Sequence, residues 1–166
     1  MKNIVLIGMP GSGKSTIGQA VAAELQLTFY DADSCLERWE ACTIKDLFAI
    51  NEATFRAAET RTIERLAQLN SSVIATGGGV VINAQNIKNL RRNGSIVFLD
   101  RPVEAIMRDI EVTTRPLLKD GREEVKRLYH ERYALYQEYA DYIVPNASTA
   151  QTAIQKIVQW VRGGRR

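Results

Sequence analysis

The 166 residues carry a formal net charge of +3, are 45% hydrophobic and 25% charged, and so suit one soluble globular domain with a sizeable core. No apolar run approaches the ~20 residues that a membrane-spanning helix needs. The opening MKNIVLIGMPGSGKST passes from a short apolar stretch straight into a glycine-rich turn, which argues against a cleaved leader and for a cytoplasmic protein.

Residues 3–8, NIVLIG, read as a buried strand, and 14–26 as a helix. Between them GMPGSGKST (8–16) fits G-x-x-x-x-G-K-[ST], with Gly8, Gly13, Lys14 and Ser15 in the required places. Strand before and helix after is the setting in which this phosphate-binding loop works. Glycines let the backbone approach phosphate oxygens, and successive N–H groups at a helix start supply positive potential. Lys14 can reach the β- and γ-phosphates of a nucleoside triphosphate, and the Ser15 hydroxyl can hold Mg²⁺.

LTFY (27–30) is a short second strand, followed by Asp31 and Asp33. Residues 34–69 are helical, with breaks near 41–43 and 50–52, and Thr43 with Asp46 has the form of a helix start. Cys35 and Cys42, seven apart on one expected helix, make neither a metal-ligand pattern nor a disulfide framework, and read as packing residues. SSVIATG (71–77) is a third strand, running into Gly77, Gly78 and Gly79. A helix over 83–92 and a strand over 95–100, ending in Asp100, come next. Pro102 opens a helix to about 110, and 111–122 reads as a loop. A long helix over about 122–140 carries tyrosines 129, 133, 136 and 139 at helical spacing, a packing stripe, and the single His130, an exposed one. Strand 142–144 and helix 149–161 complete the pattern, and RGGRR (162–166) reads as a solvated terminus. Five apolar strands interleaved with helices specify an α/β chain: a parallel sheet covered on both faces.

Such a loop is usually served by an acidic residue at the end of a neighbouring strand. Asp31 and Asp100 both qualify. If the chain stays extended, Asp31 and Asp33 point the same way, and they divide the labour: Asp31 toward hydrated Mg²⁺, Asp33 toward an acceptor hydroxyl. Equally, Asp33 serves as the N-cap of the helix that follows, and Asp100 as a cap or as a partner of Arg101.

In order and spacing, GMPGSGKST, FYDADSCLE, TIKDLFAINEATFRAAET, IATGGGVV, TTRPLL and ERYALYQEYADYIV resemble the shikimate kinases over nearly the whole chain. That family phosphorylates the 3-hydroxyl of shikimate with ATP and Mg²⁺, on the route to aromatic amino acids. The resemblance implies a three-layer α/β/α fold of the nucleoside-monophosphate-kinase type, a five-stranded sheet of order 2-3-1-4-5, a mobile lid at about 111–122, a substrate-binding helical region at about 33–60, and a monomer that takes small molecules and not nucleic acid or membrane. It implies Asp31 and Ser15 at the metal and Asp33 on the substrate. It assigns Arg56 and Arg132 to the substrate carboxylate, which a planar guanidinium grips with paired hydrogen bonds. Gly77, Gly78 and Gly79 become the substrate loop. Gly11, Ser12, Gly13, Lys14, Ser15, Thr16, Arg108 and Thr149 fall to ATP, and Arg115 to the lid, where it would stabilise charge on the transferred phosphoryl. The chain departs from the family's habit at ACTI (41–44), at Asn51-Glu52, at Ala134 and at NASTAQT (146–152). A gluconate-type or nucleotide kinase, or a nucleotide-binding module without catalysis, are the competing expectations.

Overall fold

The computed structural model describes residues 1–112 and 121–164. In chain order these form β1 (Asn3–Ile7), α1 (Lys14–Leu25), β2 (Thr28–Asp31), α2 (Ala32–Glu40), α3 (Ile44–Ile50), α4 (Glu52–Leu66), β3 (Ser72–Ala75), a 3-10 turn (Val80–Ile82), α5 (Ala84–Arg92), β4 (Gly94–Asp100), α6 (Val103–Val112), α7 (Gly121–Tyr139), β5 (Tyr142–Pro145) and α8 (Ala150–Arg162). The strands make one parallel sheet in the order β2-β3-β1-β4-β5, the expected topology. The rest of the expected lid, 113–120 with Arg115, and the last two arginines of the tail lie outside the described residues.

Both faces of the sheet are covered, which is why β1 reads as an unbroken apolar run rather than an alternation. Alternate side chains still go to opposite faces. Val5, Ile7, Ile74, Ile96 and Phe98 pack with Ile63, Leu66, Leu90 and Tyr136 from α4, α5 and α7. Ile4, Leu6, Val73, Val97 and Leu99 pack with Ile17 and Val21 of α1 and with Ile154, Ile157 and Val158 of α8. Each fully buried aliphatic side chain contributes roughly 1.5–3 kcal/mol, so the central strands form a rigid platform. A third, smaller cluster of Leu36, Leu47, Phe55 and Ala58 ties α2, α3 and α4 together. Beside it Phe48 stacks on Phe55 at 4.4 Å.

Local chemistry sets the helix boundaries. Thr43 and Asp46 form a reciprocal capping box at the start of α3. Asn51 caps α4, accepting from the Thr54 amide at 2.8 Å, so the Asn-Glu departure supplies a helix start. Helix α2 stops at Ala41, whose φ of 54° and ψ of 34° are left-handed. That stop corrects one expectation: Cys35 lies on α2 and Cys42 in the turn beyond it, not on one helix. Both still pack, Cys35 against the large core and Cys42 against the small cluster. The tyrosine stripe is also a packing feature, with Tyr136 stacked on Phe98 at 5.1 Å and Tyr133 edge-on to it at 5.8 Å. No helix among the described residues is long and apolar enough to cross a membrane.

Candidate active site

Parallel strands bring their C-terminal ends to one edge of the sheet, where ligands of open α/β folds gather. The loop after β1 holds the phosphate-binding motif, the turn after β2 holds Asp31 and Asp33, and the turn after β3 holds Gly77, Gly78 and Gly79.

Gly13 opens α1 with φ 87° and ψ 15°, a left-handed conformation that a side chain would strain. Lys14 is buried and donates from Nζ to the carbonyls of Gly8 at 2.7 Å and Met9 at 2.8 Å. Burial pulls its pKa down to about 8, against the opposing pull of Asp33 and Asp31. The Gly11 carbonyl accepts from Arg101 at 2.8 Å. Alongside the loop opens a hollow of about 330 Å³, lined among others by Ser12, Gly13, Thr16, Arg108, Asn146 and Ala147. The Asn146 amide donates to the Ser12 carbonyl at 2.9 Å, pinning the hollow's far wall to the loop. Thr149 caps α8 through its side chain, which accepts from the Thr152 amide at 3.3 Å. Its neighbours Ser148 and Ala150 line the hollow.

The two carboxylates are not on an extended stretch, and this corrects the geometry expected for them. The helix begins two residues earlier than the spacing suggested. Asp31, not Asp33, is the N-cap of α2: one carboxylate oxygen accepts from the Ser34 amide at 3.0 Å, and the other from the Ser15 hydroxyl at 2.5 Å. Asp31 and Ser15 thus present hard oxygen atoms beside the phosphate-binding loop, a donor set suited to Mg²⁺, which takes one or two carboxylates and fills its remaining positions with phosphate and water. Asp33 stands in the first turn of α2, near Gly77; a Cβ on that glycine would lie 3.1 Å from Asp33 Oδ1. One side of Asp33 stays open to solvent. The protein around its other sides strips enough hydration to push its pKa up, helped by Asp31 and Glu37 and opposed by Lys14 and Arg56. Asp100 neither caps a helix nor pairs with Arg101. It accepts from the Tyr133 hydroxyl at 2.8 Å, while Arg101 turns to Gly11 and to Asp109 at 2.7 Å.

Arg56 lies against the glycine loop: a Cβ at Gly79 would fall 2.8 Å from its guanidinium carbon and would push that side chain aside. Arg132 projects from α7 and is 9% exposed. The groups sense one another's charge: Lys14 that of Asp33 and Arg132, Asp33 that of Lys14 and Arg56, Tyr136 that of both arginines. Residues from four distant segments therefore meet in one place, and a family model described as shikimate kinase matches residues 10–162. The chain belongs to the shikimate kinase family.

Its relatives match over most of their length. The shikimate kinase of Clostridium botulinum strain Eklund 17B is 49% identical over 158 residues, which is 95% of this chain and 96% of that protein. The one from strain Alaska E43 is 46% identical over the same shares. The solved structure of shikimate kinase from Acinetobacter baumannii in complex with shikimate matches with a TM-score of 0.90 at 34% identity, covering 99% of this chain and 95% of that one. As a member of the shikimate kinase family the chain is a kinase, a transferase that uses ATP.

Sequence reasoning passed over Glu59. It is buried, accepts from Arg56 Nη1 at 2.9 Å, and approaches the space over Gly77. Burial pushes its pKa up, and the adjoining Arg56 pulls it back. A signal was there: Phe55, Ala58, Glu59, Thr62, Ile63 and Leu66 form the buried face of α4, and a carboxylate in such a stripe needs a partner. Arg101 and Asn146, which brace the phosphate-binding loop from just beyond β4 and β5, were not marked for that role.

Proposed function

We propose that this chain is a shikimate kinase, moving the γ-phosphoryl group of ATP to the 3-hydroxyl of shikimate to give shikimate 3-phosphate and ADP. The observation that carries this is the convergence on one glycine loop of residues far apart in the sequence: Asp33 beside Gly77, Arg56 beside Gly79, and Tyr136, one turn from Arg132, on the Gly78 carbonyl, with Lys14 close enough to feel Asp33 and Arg132. A small carboxylate bearing hydroxyl groups needs that combination. The arginines hold the carboxylate, and the backbone at Gly77, Gly78 and Gly79 comes close to the ring. Asp33, its basicity raised by its surroundings, orients the 3-hydroxyl and takes its proton as the oxygen attacks.

On the nucleotide side, Gly11, Ser12, Gly13, Lys14 and Thr16 cradle the phosphates, and Arg108 and the 146–150 stretch take the adenine. Ser15 and Asp31 would hold Mg²⁺, which when bound neutralises phosphate charge. Arg115 is assigned to charge on the transferred group as the lid closes and excludes water. The protein acts on small molecules as a cytoplasmic monomer, with residues 1–166 forming one kinase domain.

An ADP-release assay with shikimate, gluconate, AMP and no acceptor tests this. Shikimate alone should stimulate, and Asp33→Asn should lower turnover by about 10²–10⁴-fold while ATP still binds. Hydrolysis independent of any acceptor, as the sole activity, would overturn it.

A further inference from the structure

Tyr136 is wholly buried, and a buried phenol needs a partner for its hydroxyl. It donates to the Gly78 carbonyl at 2.6 Å, and the same oxygen lies 4.0 Å from Met9 Sδ in the phosphate-binding loop. The ring is clamped against Phe98. One turn back on α7, at the i−4 position that shares its face, stands Arg132, whose positive charge acts on the Tyr136 hydroxyl. The Nε of Arg132 is buried without a hydrogen-bond partner. Gly78 itself sits on the Pro10 ring. Burial raises the Tyr136 pKa to about 12, so the hydroxyl remains a donor across the working pH range.

One oxygen atom thus anchors the glycine loop, sits beside the phosphate-binding loop and lies in the field of an arginine. A peptide unit is planar and trans, so anchoring the Gly78 carbonyl on α7 aims the Gly79 N–H the opposite way. We infer that Tyr136 is a positioning residue for the acceptor: its hydroxyl sets the Gly78–Gly79 amide plane and the Arg132 guanidinium in the orientation that receives the substrate. This rests on the assignment of Arg132 and the glycine loop to shikimate, and it names the group that aligns them. The hydroxyl makes no contact with a reacting atom.

Tyr136→Phe removes that oxygen and keeps the ring stacked. The KM for shikimate should rise roughly tenfold, while the KM for ATP and kcat stay within twofold and the thermal midpoint moves little. A purely structural role would lower the midpoint and leave KM for shikimate unmoved, and that result overturns the inference. A second readout needs no substrate. In nuclear magnetic resonance of the free proteins, the variant should show faster amide exchange at Gly79 and a shifted, broadened Arg132 Nε–H signal. Unchanged signals there overturn the role of Tyr136 whatever the acceptor is. A wild-type protein inert toward shikimate would instead remove the kinase assignment, and the resonance comparison would still decide for or against the positioning of the loop.

Discussion

The carboxylate of Glu59, on a residue only 5% exposed, accepts a hydrogen bond from Arg56 at 2.9 Å. Glu52 reaches the same guanidinium at 3.4 Å from the solvent side, too exposed to fix its direction. Glu59 therefore decides where the Arg56 fork points. A hydrogen bond to a charged group contributes about 1.5–3 kcal/mol, so Glu59→Ala should lower kcat/KM for shikimate by about 10–100-fold, mainly through KM. Glu59→Gln keeps an acceptor and should lose less. Steady-state kinetics with each substrate varied would check both, with the KM for ATP expected to hold.

Lys14 gives a pH signature. In the free protein burial holds its pKa at about 8. Phosphate binding wants the charged form, so nucleotide affinity should be full below pH 8 and fall as pH rises through it. A bound triphosphate draws the pKa upward, so binding near pH 8.5 should take up a proton. Calorimetric titration in two buffers of different ionisation enthalpy would measure that uptake. Stability runs the other way: an unfolded Lys14 keeps its proton up to the ordinary lysine value of 10.5, so this one group favours folding increasingly from about pH 8 to 10.5.

Asp31 caps α2 and is proposed to hold Mg²⁺, two roles that substitution can separate. Asparagine caps a helix about as well as aspartate, whereas alanine costs about 1 kcal/mol. Asp31→Asn should therefore fold with nearly native stability yet need more Mg²⁺ for half-maximal activity. Asp31→Ala should share that defect and unfold earlier as well. Urea titrations of the two variants, set beside their Mg²⁺ dependence, would test the separation.

At residue 41, in the ACTI stretch that departs from the family's habit, the left-handed backbone carries an alanine. A Cβ in that conformation costs roughly 1–2 kcal/mol. Ala41→Gly should then stabilise the protein by about 1 kcal/mol after glycine's own entropy is counted, raising the thermal midpoint by about 2–4 °C without altering kcat. Differential scanning calorimetry would show it.

What could be read from the sequence was local or periodic. The phosphate-binding loop is contiguous, its glycines answer to backbone shape, and buried strands announce themselves as apolar runs. The arginines were legible only through the family resemblance, since nothing local distinguishes Arg56 from a solvated charge. Asp31 and Asp33 were misjudged in geometry because their spacing was measured along an extended chain, while the Ser34 amide had already drawn Asp31 into a helix cap. Glu59 hides in an apolar helical stripe, where a lone carboxylate announces the need for a partner but not which one. The bracing of the nucleotide loop by Arg101 and Asn146 joins segments some 90 and 134 residues apart, and no periodicity carries that.

The small cluster under α2, α3 and α4 leaves α3 the most lightly fastened of these helices. Seven residues long, it hangs on Leu47, on Ile44 at the cluster's margin and on the half-exposed Phe48 ring leaning on Phe55. The Phe55 ring in turn has the Arg56 guanidinium 5.0 Å from its centre. Loosening α3 would slacken the very surface on which that arginine rests and leave the strands and the nucleotide loop as they are. Substitutions that unseat α3 should therefore weaken binding of the proposed acceptor before they disturb the nucleotide.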